Sequence, residues 1–306
     1  MKINNTRKHH HVWRHYLEAW SNGKQIFCKR KGTVGVICAS LTKIANLRDF
    51  YKVKRITEND VKYLRLFVEK VNSPLREIDY KIIEIFNGLF HYMDLLKFIF
   101  KIPENSELNK LISINVEEKY LSLIEGMSVK YLDLLKSGNK KFFYEEDGNM
   151  EFTLFISYQF FRTRKVKDTI INIFSGKDYV NAENIVNPLR HILSLNMAWT
   201  FYMNKEEWDL YLLNNETEVS FITGDQPAIN IIGDGLNTPP DFILYYPISP
   251  DRAIVIQKKK IKPIDNVLNK KQVEYYNVLI IKNSSHEIFS NSKSMLENIK
   301  TNGYCA

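Results

Sequence analysis

The hydrophobic period changes twice along the chain, and this change limits what the chain can fold into. From about residue 57 to about 215, apolar residues recur every three to four positions, the period of a helix face. From about 216 onward the runs are short and apolar or alternating: EVSFITGD, AINIIGD, FILYYPIS and AIVIQKK, parted by Gly, Pro and Asp. Before residue 57, KQIFCKR and TVGVICA flank Lys31-Gly32 and predict a β-hairpin. The pattern predicts an α+β fold: a central helical region with an N-terminal β-hairpin and a C-terminal antiparallel sheet. No internal repeat or long linker divides the 306 residues. The three parts, 1–56, 57–215 and 216–306, are therefore expected to form a single compact domain, with the hairpin joining the C-terminal sheet.

Local signals place the elements. HVWRHYLEAW carries Trp13, Tyr16, Leu17 and Trp20 at helical spacing. Thr57 ahead of Glu58 and Asp60 predicts a helix start, with the helix running to about Val71. Pro74 opens a second helix that ends before Pro103. A third is expected at about 116–136, a fourth at about 150–174, and another pair from Pro188 through Trp199, Phe201, Trp208 and Tyr211. Short helical segments at about 270–282 and 292–300 close the chain. The run IIEIFNGLFHYMDLLKFIF is as long as a bilayer span, but Glu84, Asn87, His91, Asp94 and Lys97 form a polar stripe along it. It reads as a packed amphipathic helix, and no membrane partner is expected.

Composition narrows the class. Apolar residues make up 44% and charged residues 25%, enough for a core and too apolar for a disordered chain. Three cysteines, Cys28, Cys38 and Cys305, without a CxxC pair, argue against a disulfide scaffold or structural zinc. MKINNTRKHHH has no apolar core of a signal peptide, which leaves the cytoplasm as the expected compartment. The formal charge of +8 admits a nucleic-acid partner without requiring one, since the chain is rich in Lys, Asn and Ile throughout.

Four places put polar residues where the pattern asks for apolar ones. With Leu121 as zero and about 100° per residue, Ile124, Val129, Leu132 and Leu135 define an apolar arc. Glu125 falls inside it, while Glu118, Ser122 and Lys136 are assigned to the polar back. A carboxylate there is paired, protonated or functional, because burying it bare costs several kcal/mol. Gln159, Arg162 and Thr163 sit in FISYQFFRTRKVK among aromatics, where a guanidinium can fork a carboxylate or phosphate. It can equally hold Glu125 in a buried pair. His9, His10 and His11, with Arg14 and His15 beyond, suit proton transfer or metal ligation, or else a plain polar arm. Asp225, in SFITGDQPAINI, stands at a strand end between Gly224, which permits an unusual backbone angle, and Pro227. It can bind a metal, orient a histidine, or bond its own turn.

These residues also carry a resemblance. HHHVWRHYLEAW resembles the N-terminal signature of the domain of unknown function 4238 family, with His9 and His10 on its histidine pair. His11 stands where the family has an aromatic, and Trp13 where many members have proline. FYKV, IEGMSVKYLDLL, YQFFRT, NPLRHILSLNMAW, FITGDQP, YYPISP and YYNVLIIKNSSHEIF continue it in order over nearly the whole chain. The resemblance implies one full-length domain, occurring widely in bacteria, and supplies no reaction.

Three functions are expected from this set. The first is a phosphodiester-cleaving, nuclease-like enzyme, possible in bacterial defence. His10, Glu125 and Asp225 are its catalytic residues and hold a divalent metal (Mg²⁺ or Mn²⁺), unless His10 acts as acid/base alone. Arg162 takes the phosphate, Gln159 positions substrate or water, and His9, Arg14 and Thr163 complete the substrate contacts. Basic stretches at 24–31, 164–167 and 258–262 hold the backbone. The second is a non-catalytic module binding a nucleotide or nucleic acid. The third is a buried structural network with no ligand.

Overall fold

The computed structural model describes residues 7–101, 103, 107–232 and 241–299. Cys305, residue 300 of the last expected helix and the Gly-Pro-rich stretch at 233–240 lie outside the described residues. The fold is α+β, as the period change requires. In chain order the elements are β1 (Lys8–His10), α1 (Arg14–Leu17), β2 (Gln25–Arg30), β3 (Val36–Ser40) and β4 (Asn46–Arg48). The helices α2 (Glu58–Val68), α3 (Leu75–Phe100), α4 (Glu107–Lys136), α5 (Glu146–Phe161), α6 (Arg164–Phe174) and α7 (Ala182–Met203) follow. Then come β5 (Trp208–Asn215), β6 (Thr223–Gly224), β7 (Ile229–Asn230), β8 (Leu244–Ser249), β9 (Arg252–Lys258), β10 (Val267–Leu268), α8 (Lys270–Asn283), β11 (Glu287–Ser290) and α9 (Lys293–Glu297).

The strands form three sheets. The largest has the order β10-β5-β9-β8-β7 and is antiparallel except for β10, which runs parallel to β5. The hairpin β2–β3 forms as expected and extends into a four-stranded sheet, β3-β2-β11-β6. It meets the C-terminal strands through β11, with Cys28 opposite Phe289, and not through the five-stranded sheet. A small ladder pairs β1 with β4, setting His9 opposite Leu47.

Several expected boundaries move for identifiable reasons. The expected helix at 150–174 is two helices, because Thr163 caps a new one: its hydroxyl accepts from Val166 N–H. Arg162 thereby becomes the C-terminal cap of α5 rather than a mid-helix residue. The expected pair from Pro188 is one helix, α7, that begins at Ala182 and holds Pro188 near its start. Trp208 and Tyr211 belong to β5, whose alternation the helical reading missed. The Thr57 start is a full capping box with Asp60. Close to the N-terminus, HVWRHYLEAW gives only one turn of helix and a 3₁₀ turn after β1.

Three apolar clusters hold these layers. One packs Tyr16, Leu17 and Trp20 with α4, α5 and the five-stranded sheet. A second lies beneath α8 between the two larger sheets, and a third joins α2, α3, α6 and α7. Of the α3 stripe, Glu84 and His91 are exposed and Asn87, Asp94 and Lys97 half-buried, with Asp94 paired to Arg55. Its apolar face is only half covered: Ile85, Tyr92, Phe98 and Phe100 stay in solvent. No helix among the described residues is long and apolar enough to cross a membrane.

Candidate functional site

Arg162 lies at the centre of a buried polar seam. Its guanidinium donates Nη1–H to Glu125, Nε–H to the Tyr51 hydroxyl at 2.9 Å and Nη2–H to the His10 carbonyl at 2.8 Å. Tyr51 in turn donates to that same carbonyl at 3.0 Å. Burial pushes the Glu125 carboxyl up and the neighbouring guanidinium pulls it back. The arginine fork is thus filled by protein groups, Glu125 among them, which is the buried pair weighed as the alternative to a phosphate fork.

A second Arg–Glu pair continues the seam. Arg190 on α7 donates to Glu117 at 2.9 Å and to the Arg162 carbonyl at 3.2 Å. Glu117 and Glu125 are eight residues apart on α4 and face the same way. Neither Glu117, Arg190 nor His191 was singled out by sequence. The same wheel places Glu117 at about −40° from Leu121, so the signal was present. It also places Glu118 at about 60°, not on the polar back. In the structure Glu118 is half-buried, its carboxylate 3.5 Å from His9 Nε2.

The histidines point different ways, as adjacent residues in an extended segment must. His9 is buried, stacks on Tyr51 and accepts its N–H at 2.9 Å. His10 lies 3.3 Å from the Leu41 carbonyl, and burial lowers its pKa, with help from Arg14 and Arg162. Arg14 itself is exposed on α1. His11, at the position where the family carries an aromatic, is buried, and its Nδ1 has no hydrogen-bond partner among the described residues. Burial first, then Arg162, Arg164, His10 and His286, push its pKa down to about 3.

Asp225 is not a turn aspartate bonding its own loop. Its carboxylate accepts backbone N–H groups from Ser285 (2.7 Å), His286 (2.6 Å) and Glu287 (3.2 Å). Gly224 serves a close approach, not an unusual angle: it lacks a positive φ, and a Cβ there would collide with the Ser284 hydroxyl. Thr163 donates to Gln226, which also bonds the Phe160 and Ala228 carbonyls. Gln159 is buried, and its amide has no partner among the described residues. His10, Glu125 and Asp225 do not gather: no group of three or more His, Cys, Asp or Glu among the described residues could hold a metal ion.

What these anchors do bring together is a pair of neighbours. Arg162 fixes the His10 carbonyl, next to His11. Asp225 fixes the backbone of His286. His11 and His286 both line an open pocket of about 300 Å³ with Arg30, Lys31, Asn46 and Arg164. Glu287 is its one acidic lining residue among those described, and it is paired with Arg30 at 3.0 Å. Sequence reasoning assigned Arg30, Lys31 and Arg164 to basic stretches but gave no signal for His286, because only tertiary pairing brings residue 286 to residue 11. A pocket of this composition can bind an anion and exchange protons with it.

No curated protein and no solved structure matches the chain. The model of a family described as protein of unknown function, DUF4238, matches residues 8–294 and so spans nearly all of the seam, the pocket and the sheets that carry them. The chain belongs to the DUF4238 family.

Proposed function

We propose that the chain takes a phosphate-bearing ligand, a nucleotide or a nucleic-acid backbone, in the pocket between His11 and His286, and cleaves a phosphodiester there. The observation that carries this reading is the pocket's lining: two histidines and three cationic side chains, of which Arg30 is paired with the one carboxylate, Glu287. Arg30, Lys31 and Arg164 bear on the non-bridging oxygens, where negative charge grows in the transition state. Burial disfavours a proton on His11, and an anionic phosphate bound beside it opposes that penalty, so that His11 takes the proton of the attacking hydroxyl or water. His286, across the pocket, gives a proton to the leaving oxygen, so the proton count balances. In this reading Arg162, Glu125, His10 and Asp225 position the site and do not touch substrate. Glu125 is turned to Arg162 and Asp225 to three amides, so a divalent ion would have to draw on other oxygens, such as those of the phosphate.

Binding without turnover is the second reading, favoured by the 4% exposure of His11. One experiment separates the two. The protein is incubated with RNA, single-stranded DNA and duplex DNA in Mg²⁺, Mn²⁺ or EDTA, and binding is followed by fluorescence anisotropy across a salt series. Cleavage that disappears in His286→Ala supports the enzyme, and cleavage equal in EDTA removes the metal. Salt-dependent binding without cleavage supports the module. Neither cleavage nor salt-dependent binding, with the protein folded, overturns both.

A further inference from the structure

We propose a second ligand site, unrelated to the basic pocket: the cavity bounded by α3, α4, α5 and α7 binds a neutral amphiphile, an elongated apolar molecule whose O–H or N–H head donates to Glu117. The cavity measures about 680 Å³, within the usual range for small-molecule sites. Its walls are apolar, with Val53, Ile82, Phe86, Leu89 and Leu195 among the lining residues, and Ile85 and Tyr92 at its exposed side. Glu117, Tyr120, Tyr158 and His191 also line it.

The polar groups specify the head. Glu117 is buried; one oxygen accepts from Arg190, and the other, Oε2, has no partner among the described residues although it is out of reach of solvent. A buried carboxylate oxygen without a donor is costly, so a ligand that brings one is favoured. Tyr158 donates to Tyr120 at 3.2 Å, so the 2.8 Å contact between Tyr158 and His191 Nδ1 makes the histidine the donor. A neutral His191 then offers Nε2 as a second acceptor, 3.9 Å from Glu117. Glu117 and His191 both line the cavity, and two acceptors in its wall call for a donor head. The Arg190–Glu117 pair leaves little net charge at the head, Lys81 in the lining is solvent-exposed, and a carboxylate head placed at Glu117 would meet it as a like charge.

The test is displacement of Nile red from the full chain, with 1-dodecanol, dodecane and dodecanoate as competitors at equal free concentration. The expected order is dodecanol tightest, with dodecanoate at least tenfold weaker. Leu89→Trp fills the cavity without touching the polar groups, and is expected to abolish Nile red binding while the unfolding curve stays cooperative. Glu117→Gln, where it folds, is expected to bring dodecanol down to the level of dodecane. Equal displacement by dodecanoate overturns the assignment of the head. Nile red binding retained in Leu89→Trp overturns the site. Concentration-dependent dimerisation, or binding to phosphatidylcholine vesicles, that dodecanol does not relieve would assign this face to a second copy or to a bilayer, and overturn it as well. None of these outcomes bears on the basic pocket, whose ligand is an anion.

Discussion

Arg162 and Arg164 stand two residues apart across the break between α5 and α6, and their surroundings are opposite. Arg162 is buried and spends its fork on Glu125, Tyr51 and the His10 carbonyl. Arg164 is half-exposed, meets Asp168 only at 3.5 Å and lines the basic pocket. The fork of the first arginine is filled by protein groups; the pocket around the second is open and holds a surplus of one sign. A buried guanidinium with its hydrogen bonds filled stabilises a geometry, whereas one at a pocket wall has donors left for a ligand. The contrast predicts that substitutions in the seam act on folding and substitutions in the pocket act on binding.

The largest effect is expected in the seam. Arg162→Ala strands Glu125 without its cation and should cost about 3–5 kcal/mol in urea unfolding. The double substitution Glu125→Leu with Arg162→Met should cost less than either single loss of a partner, because no bare charge remains. If Arg162→Ala instead left stability unchanged and abolished activity, the division between seam and pocket would fail.

Acid should come next. His11 and His191 are pushed down to about 3, in each case chiefly by burial, from an ordinary 6.5. Between those values the unfolded chain binds protons that the folded chain does not. Stability is then complete above about pH 6.5 and falls as pH drops toward 3, by up to about 1.4 kcal/mol per pH unit for each histidine. Urea midpoints at pH 7, 6 and 5 check the slope, and His11→Asn should flatten part of it. Asp225→Asn, which replaces a charged acceptor of three amides by a neutral one, should cost about 2 kcal/mol. It should also weaken anion binding, because His286 loses its anchor. Loss of stability with anion binding intact would detach Asp225 from the pocket. The smallest stability effect is expected for Arg164→Ala, within about 0.5 kcal/mol of the parent. That variant should nevertheless bind anions more weakly and lower the salt slope by about one.

How much could be read from sequence follows the range of each interaction. Glu125 was legible because the wheel compares residues within one helix, and its arginine partner was foreseen because one buried charge demands another. The hairpin and the capping box were legible for the same reason: their signals lie within a few residues. The break at Thr163 was not, since a threonine cap leaves a helical period almost undisturbed. Asp225 was noticed, but its three amide partners lie some sixty residues away, Ser285 and His286 just ahead of β11 and Glu287 as its first residue, in a strand of four residues too short to announce itself. His11 was visible as one of three adjacent histidines and as a departure from the family's aromatic, and the departure places an imidazole in the wall of the pocket.

The pairing of β2 with β11 has one more consequence, for synthesis. Arg30 and Glu287 are 257 residues apart, so at about 5–20 residues per second the hairpin leaves the ribosome roughly ten to fifty seconds before its partner strand exists. During that interval one edge of β2 presents unpaired backbone amides and carbonyls, open to any other extended segment nearby. Crowded nascent chains are therefore where this protein is most exposed to mispairing, and a chaperone that shelters its first fifty residues would act at the vulnerable point.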